Sequence, residues 1–439
     1  MPHVFRMAIP MTIGIGSIIS FSLVDTYFIG LLGADELAAI GFTFPVTTLL
    51  FNLIFGMAIA MSAVVSRRIG AGAMNDVRAT VSIGLFMVFG LSVFLSIMGY
   101  IFMNPIFFGI GAGVDVMPLI NDYMSIWFVG AVFLSVPVVA NSAIRGMGDA
   151  FWPACVMVTV AVVNAILDPI LIFGLFGLPA MGIKGAAYAS LCGYIAAAIA
   201  VFYIMIIREK IFSIKFILDS SAWKIATMPL LAIAIPVSLA SVITPIVSYG
   251  YTAILSGLGN EAVAGFGVAT RFEAFALIPI MAMAGGIAPL IGQNYGAGLT
   301  DRVNEAITKA LKFGVGYAIG CAIFLGLMSD ILGTLFSQNM EVHGFVARYL
   351  ILIPISYVGL NVFLVTTSAM NAMGRAKTAL ILNLIKSFVV ALPFAWVMTD
   401  LYDLTGFLLS IMLTNFIAFV CAGALIKSLY CKADKNILH

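Results

Sequence analysis

The sequence predicts an all-α integral membrane protein with twelve transmembrane helices in two six-helix bundles. Three observations lead there. Hydrophobic residues make up 63% of the chain against 9% charged, with a mean hydropathy of +1.16, a balance suited to the bilayer interior. Cutting the 439 residues at clusters of charge and of Gly, Pro and Asn leaves twelve apolar runs, each long enough for the roughly 20 residues that cross the hydrocarbon core. The first half of the chain also recurs in the second at one fixed offset.

The runs cover residues 7–32, 37–66, 79–108, 118–144, 151–175, 182–207, 228–256, 261–292, 303–329, 345–372, 378–400 and 404–428. The opening MPHVFRMAIP enters its run without a small-residue cleavage pattern, so the first run is expected to stay as a helix. With the N-terminus in the cytoplasm, basic residues such as Arg67, Arg68, Arg78, Arg208, Lys210, Arg302 and Arg375 collect at inner ends. Only Lys184 and Arg348 fall outside, while Arg271 and Lys386 lie within runs. Outer loops gather acids, among them Asp35, Glu36, Asp115, Glu261 and Asp330, so an even helix count with both termini inside is expected.

Residues 8–72 align without a gap on 234–298, an offset of 226 that places LLGADELAAIG on GLGNEAVAGFG and GAG on GAG. The same offset places NSAIRGMGDA (141–150) on TSAMNAMGRA (367–376). The chain therefore reads as an N-terminal bundle over 1–207, a cytoplasmic connector over 208–227 and a C-terminal bundle over 228–439. An even number of crossings separates equivalent positions, so the halves share one orientation and are related by an axis along the membrane normal. Parallel halves facing each other across a cavity are a design for alternating-access transport.

Other classes fit poorly. A net charge of +2 gives no field for nucleic acid. The cysteines (Cys155, Cys192, Cys321, Cys421, Cys431) form no CxxC and read as packing residues, so no metal or disulfide framework is expected. The histidines, His3, His343 and His439, lie at termini or in a loop. With no constellation for nucleophilic or metal chemistry, neither an enzyme nor a cofactor is expected. An ion channel would not need two different bundles with one acidic site, and a lipid-linked-precursor flippase usually has more helices or a basic cavity.

Two acids stand well inside apolar runs of the first half, Asp25 in SFSLVDTYFIG and Asp168 in VVNAILDPILIFG. An Asp at a helix centre costs about 2.5–3.5 kcal/mol on insertion scales, so each is a functional candidate. Each lies seven residues from the outer end of its predicted run, at one level. Asn164 precedes Asp168 by one turn on the same face, and Ser190 in KGAAYAS reaches that level from the next run. Pro169 lacks an N–H and gives the helix a place to bend beside Asp168. The offset carries Asp25, Asn164, Asp168 and Ser190 onto Tyr251, Val390, Phe394 and Phe416, so this chemistry is not repeated. Two carboxyls at one level cannot both stay ionised cheaply, and proton uptake is expected.

Deep inside the second-half runs stand Arg271 and Glu273, which do not face one another and are cavity candidates, one lining it while the other pairs elsewhere, and Lys386, near enough to an inner end to snorkel. Twenty-four Met and 34 Phe suit an adaptable apolar cavity for organic cations. Tyr123 and Asn141 in the first half are polar candidates for its lining, with Tyr251 and Phe394 as an aromatic lining in the second.

In VDTYFIG, NxxxDP (164–169), GAAYAS and RFEAF (271–275), and across nearly its whole length, the chain resembles the multidrug and toxic compound extrusion (MATE) transporters, specifically their DinF-type prokaryotic branch. The resemblance implies a V-shaped pair of bundles and a cation site of Asp25, Asn164, Asp168 and Ser190, with Ser where Thr is more familiar. It adds Met157 to the cavity candidates and implies a bend of the first helix at Pro10, which Pro236 repeats. The sodium-coupled branch carries acids in helices 7 and 10, and those runs here contain none. The expectation is export of small, cationic, amphiphilic compounds in exchange for protons, with sodium at the same site as the alternative. A multi-pass monomer in the bacterial inner membrane, contacting lipid and no nucleic acid, is expected.

Overall fold

A computed structural model describes residues 2–336 and 339–433, without the side chains of 2–6, 8, 335–336 and 427–433. The side chains of His3, Cys431 and His439, named above, fall outside this description.

The described chain is helical throughout, with no strand among those residues. The helices are α1 (Pro2–Gly30), α2 (Ala34–Gly70), α3 (Met74–Ile101), the short α4 (Met103–Gly109), α5 (Met117–Gly146), α6 (Phe151–Phe173) and α7 (Ile183–Tyr203). A π-helical turn, Ile204–Arg208, ends α7, and the connector holds one short helix, α8 (Ile214–Ile217). The second half contains α9 (Ser220–Ser256), α10 (Asn260–Gly296), α11 (Thr300–Phe336), α12 (Met340–Leu352), α13 (Tyr357–Ala372) and α14 (Ala376–Leu384). A π-helical segment, Ile385–Ala391, then leads into α15 (Leu392–Ala433).

Eleven described stretches are long and apolar enough to cross a membrane, but the last, Ala376–Ile426, has 51 residues. At ~1.5 Å per residue it would span more than twice the hydrocarbon thickness of roughly 30 Å. It is two crossings. Helical geometry breaks at Tyr402 and at Asp403, where φ is 50°, between the expected runs 378–400 and 404–428. Gly406 closes this turn: a Cβ there would lie 1.7 Å from the Met398 carbonyl oxygen.

The helix boundaries carry the repeat. α1 ends at Gly30 and α9 at Ser256; α2 runs from Ala34 to Gly70 and α10 from Asn260 to Gly296; α5 ends at Gly146 and α13 at Ala372. Each equivalent boundary differs by the 226 residues found in the sequence. The turns repeat too, because Gly72 and Gly298 both have φ 73°, and Gly148 and Gly374 have φ 99° and 81°. Their backbones close the preceding helices with equivalent bonds, Ala73 N–H to Arg68 O (2.9 Å) and Leu299 N–H to Asn294 O (2.8 Å). This is the left-handed C-terminal cap that glycine takes without a Cβ penalty.

The chain forms two compact units, Ile9–Ser238 and Leu239–His439 with Met1–Ala8. In the first, α5 is the central helix, packed on α2, α3 and α7, while α6 packs on α7. The start of α9 belongs to this unit, where Ser238 Oγ donates to the Leu53 carbonyl at 2.9 Å against Gly56. In the second unit α13, the repeat equivalent of α5, packs on α10, α11 and α15. Lys184 pairs with Asp122 at 3.0 Å, which gives one of the two basic residues expected outside a local partner.

The paired caps predict that Gly72→Ala and Gly298→Ala each lower stability by about 1–2 kcal/mol, because an L side chain is forced into left-handed backbone. Gly16→Ala, at a helical position with open space around it, should be neutral or stabilising by comparison. Thermal unfolding in detergent measures all three.

Candidate cation site of the first bundle

Asp25 and Asp168 approach because α1 and α6 run parallel and in register. A Cβ on Gly14 would lie 2.7 Å from Met157 Sδ, and Phe28 meets Phe173 edge to face at 6.3 Å. The pairs 14/157, 25/168 and 28/173 keep a nearly constant separation in sequence, as neighbouring parallel helices require. Asp25 precedes the end of α1, Gly30, by five residues, and Asp168 precedes the end of α6, Phe173, by five. The helices end two residues earlier than the predicted runs, and the two acids keep their common level. On α1 the neighbours Leu23 and Tyr27 face outward, while Asp25 is 8% exposed and Ile29 fully buried.

α7 supplies the third side through close glycine contacts. A Cβ on Gly185 would lie 2.6 Å from the Leu171 carbonyl oxygen, and one on Gly193 would lie 3.2 Å from that of Val160. That approach brings Ser190 to α6: Asn164 Nδ2 lies 3.0 Å from Asp168 Oδ1 and 3.3 Å from Ser190 Oγ. Asn164 and Asp168 are fully buried and Ser190 nearly so. Asp25 and Asp168 act on one another electrostatically, and Tyr123 and Tyr194 lie in the field of both.

The hydrogen-bond accounting is one-sided. Asp25 Oδ1, Asp168 Oδ2 and Asn164 Oδ1 are buried acceptors without a donor. Buried polar atoms normally have partners, so three orphaned acceptors on one cluster leave it short of donors and of positive charge. Among the described residues no group of three His, Cys, Asp or Glu could hold a metal ion.

Comparison with known proteins places this geometry in a family. The MatE family model matches residues 10–170 and again 236–397. The two matches start 226 residues apart, the offset of the internal repeat. The chain belongs to the MatE family. It is 35% identical to the FAD transporter of Shewanella oneidensis, over 93% of this chain and 90% of that one. It is 24% identical to the multidrug export protein MepA of Staphylococcus aureus, over 98% and 93%. Among solved structures, the Vibrio cholerae MATE transporter VcmN in its bent form matches with a TM-score of 0.93 at 28% identity, covering 99% of this chain and 97% of that one. The protein is thus a multi-pass membrane transporter of the two-bundle MATE fold, and not an enzyme.

In this MATE transporter the other candidate residues are dispersed. Tyr123 is buried beside the two acids, but Asn141 lies about five turns further along α5, with its Oδ1 unpartnered. Met157 packs against Gly14, eleven residues before Asp168 on α6. Pro10 and Pro169 lie inside α1 and α6, both continuous through them. In the second bundle Tyr251 sits in an aromatic core, edge to face with Phe266 (6.2 Å) and Phe407 (5.4 Å). Phe394 is partly buried on α15, and Arg271 is exposed. Glu273 accepts a hydrogen bond from the Tyr349 hydroxyl at 2.5 Å.

Tyr194 joins the site without a signal of its own in the sequence beyond its spacing, one helical turn after Ser190 on the same face. It lies in the field of Asp25 and Asp168, and its ring passes Gly130 of α5, where a Cβ would stand 3.3 Å away. The glycine contacts give a test. Gly185→Ala should destabilise the protein by about 1–3 kcal/mol, since a methyl group meets backbone and not a flexible side chain. It should also separate Ser190 from Asn164; thermal unfolding checks the first effect, and amide infrared or NMR signals of labelled Asn164 check the second.

Proposed function

We propose that the protein is a proton-driven exporter of amphiphilic organic compounds whose coupling site is Asp25, Asn164, Asp168 and Ser190. The observation that carries this reading is the pair of buried carboxylates with free oxygens, Asp25 Oδ1 and Asp168 Oδ2, beside the equally free Asn164 Oδ1. Leaving two ionised carboxylates in this apolar bundle costs several kcal/mol per ion. A proton on either acid removes a charge and turns an unpartnered carboxylate oxygen into a donor.

The cycle follows from that change of charge. When the site opens outward it takes a proton, and the neutral pair packs more easily between α1 and α6, shrinking the space that holds cargo. Opening inward lets the proton leave and restores the negative site. Cargo moves out as protons move in, in a bacterial inner membrane with both termini cytoplasmic and one chain as the working unit. The negative site favours organic cations as cargo. The 35% identity to a protein named as an FAD transporter favours a second reading, a flavin nucleotide as cargo on the same coupling site.

In proteoliposomes with an imposed proton gradient, Asp25→Asn and Asp168→Asn are each expected to reduce proton-coupled export about tenfold or more, a loss of coupling free energy between ion and cargo. Both variants should keep the wild-type unfolding temperature within a few degrees, because Asn preserves the shape of Asp. Wild-type proton movement in either variant rejects the site. Export by the wild type that follows sodium and ignores the proton gradient replaces the proton with sodium at the same oxygens. Counterflow of FAD against a quaternary-ammonium dye separates the two cargo readings.

A further inference from the structure

The second bundle contains a cation that has no role in the proton site. Lys386 lies in the π-helical segment Ile385–Ala391, inside a membrane crossing. Its ammonium sits over the Phe363 ring, 4.4 Å from the centroid. Phe363 is buried on α13. Among the described residues Lys386 has no ion-pair partner. Glu273 is the charge that acts on it electrostatically, yet the Glu273 carboxylate is held by the Tyr349 hydroxyl. Beside that acid, the fully buried Tyr357 carries a hydroxyl with no partner.

An ammonium inside a membrane costs about 2.5–3.5 kcal/mol on insertion scales and ordinarily recovers this by pairing with an acid. Here the acid is close enough to be felt and is engaged elsewhere. A cation–π contact returns only about 0.5–2 kcal/mol and leaves the N–H donors of Lys386 free. The segment that carries it is also π-helical, a widened turn of the kind that recurs at functional sites. A free ammonium with an aromatic face beside it, and an unpartnered hydroxyl in the field of the same acid, form a receptor for an acidic oxygen group attached to an aromatic body.

We propose that Lys386 docks a phosphate group of an aromatic cargo, with Glu273 as the internal counter-charge that the phosphate displaces. Phe363 faces the aromatic part of the cargo, and Tyr357 offers a further hydrogen bond to its oxygens. The proposal rests on the reading of the chain as an exporter, and deepens it by naming a cargo chemistry. Cargo of this kind would come from reactions that phosphorylate an aromatic alcohol or join it to a nucleotide.

Two flavins that differ only in the phosphate isolate the claim. Binding of flavin mononucleotide and of riboflavin to purified protein in detergent, read by flavin fluorescence at fixed pH without an ion gradient, gives a ratio of affinities. The wild type should bind the mononucleotide about tenfold more tightly, the order expected for a hydrogen-bonded charge contact. Lys386→Gln should bring the ratio close to one, and Lys386→Arg should keep most of it. Glu273→Gln removes the competing charge and should strengthen mononucleotide binding about threefold, which keeps the test decisive if Lys386→Gln fails to fold. Equal binding of the two flavins by the wild type, no binding of either, or a ratio that survives in Lys386→Gln overturns the proposal. The ratio is read at equilibrium, so it stands or falls apart from proton-coupled export.

Discussion

Two carboxylates placed at one level of a helical bundle, away from water and short of donors, constrain everything around them. Asp25 and Asp168 can face each other only if α1 and α6 lie parallel and in register, which the contacts of Gly14 with Met157 and of Phe28 with Phe173 secure. Asn164 can share one amide between Asp168 and Ser190 only if α7 comes within backbone contact of α6, which Gly185 and Gly193 permit. Small residues serve helix association in membranes in this way generally, since close backbone approach replaces the hydrophobic drive that lipid removes. Here the same approach assembles the site.

The duplicated frame makes the asymmetry of the two bundles informative. Helix ends and left-handed glycine caps recur at one offset, so architecture is common to both halves. Chemistry is not. Where the first bundle has Asp25, the second has Tyr251 in a nest of aromatic rings with Phe266, Phe407 and Tyr349. The second bundle nevertheless has a polar cluster of its own, Glu273 with Tyr349 and Lys386 above Phe363, at positions that do not correspond to the acids of the first. One half thus holds bare acceptors, and the other a partly satisfied mixture of both charges.

Most of the fold was legible because hydropathy and the repeat act through local rules. Caps such as GAG at 70–72 and 296–298 mark helix ends by the backbone conformation they require. The boundary between the last two crossings was placed near Asp403 by charge, although the turn itself is only a short break in a 51-residue helical stretch. The grouping of Asn164, Asp168 and Ser190 was readable from helical spacing and depth. The bond between Glu273 and Tyr349 was not, since it joins residues 76 apart through the packing of α10 against α12. Neither was the π-helical segment at Lys386, whose sequence IKSFVVA contains no proline or glycine to announce it. Asn141 shows the reverse case, for it shares a helix and polarity with Tyr123, yet helical rise alone sets the two about five turns apart.

The central claim, that the Asp25 and Asp168 pair takes up the coupling proton, is tested most directly by observing the carboxyls themselves. Infrared difference spectra of the protein in lipid, recorded between acid and alkaline buffer, should contain a protonated-carboxyl band that shifts in heavy water. That band should disappear in the Asp25→Asn, Asp168→Asn double variant and stay unchanged when sodium replaces potassium. A wild-type spectrum in which the pair contributes no titrating band, or one in which sodium removes it at constant pH, would contradict the account.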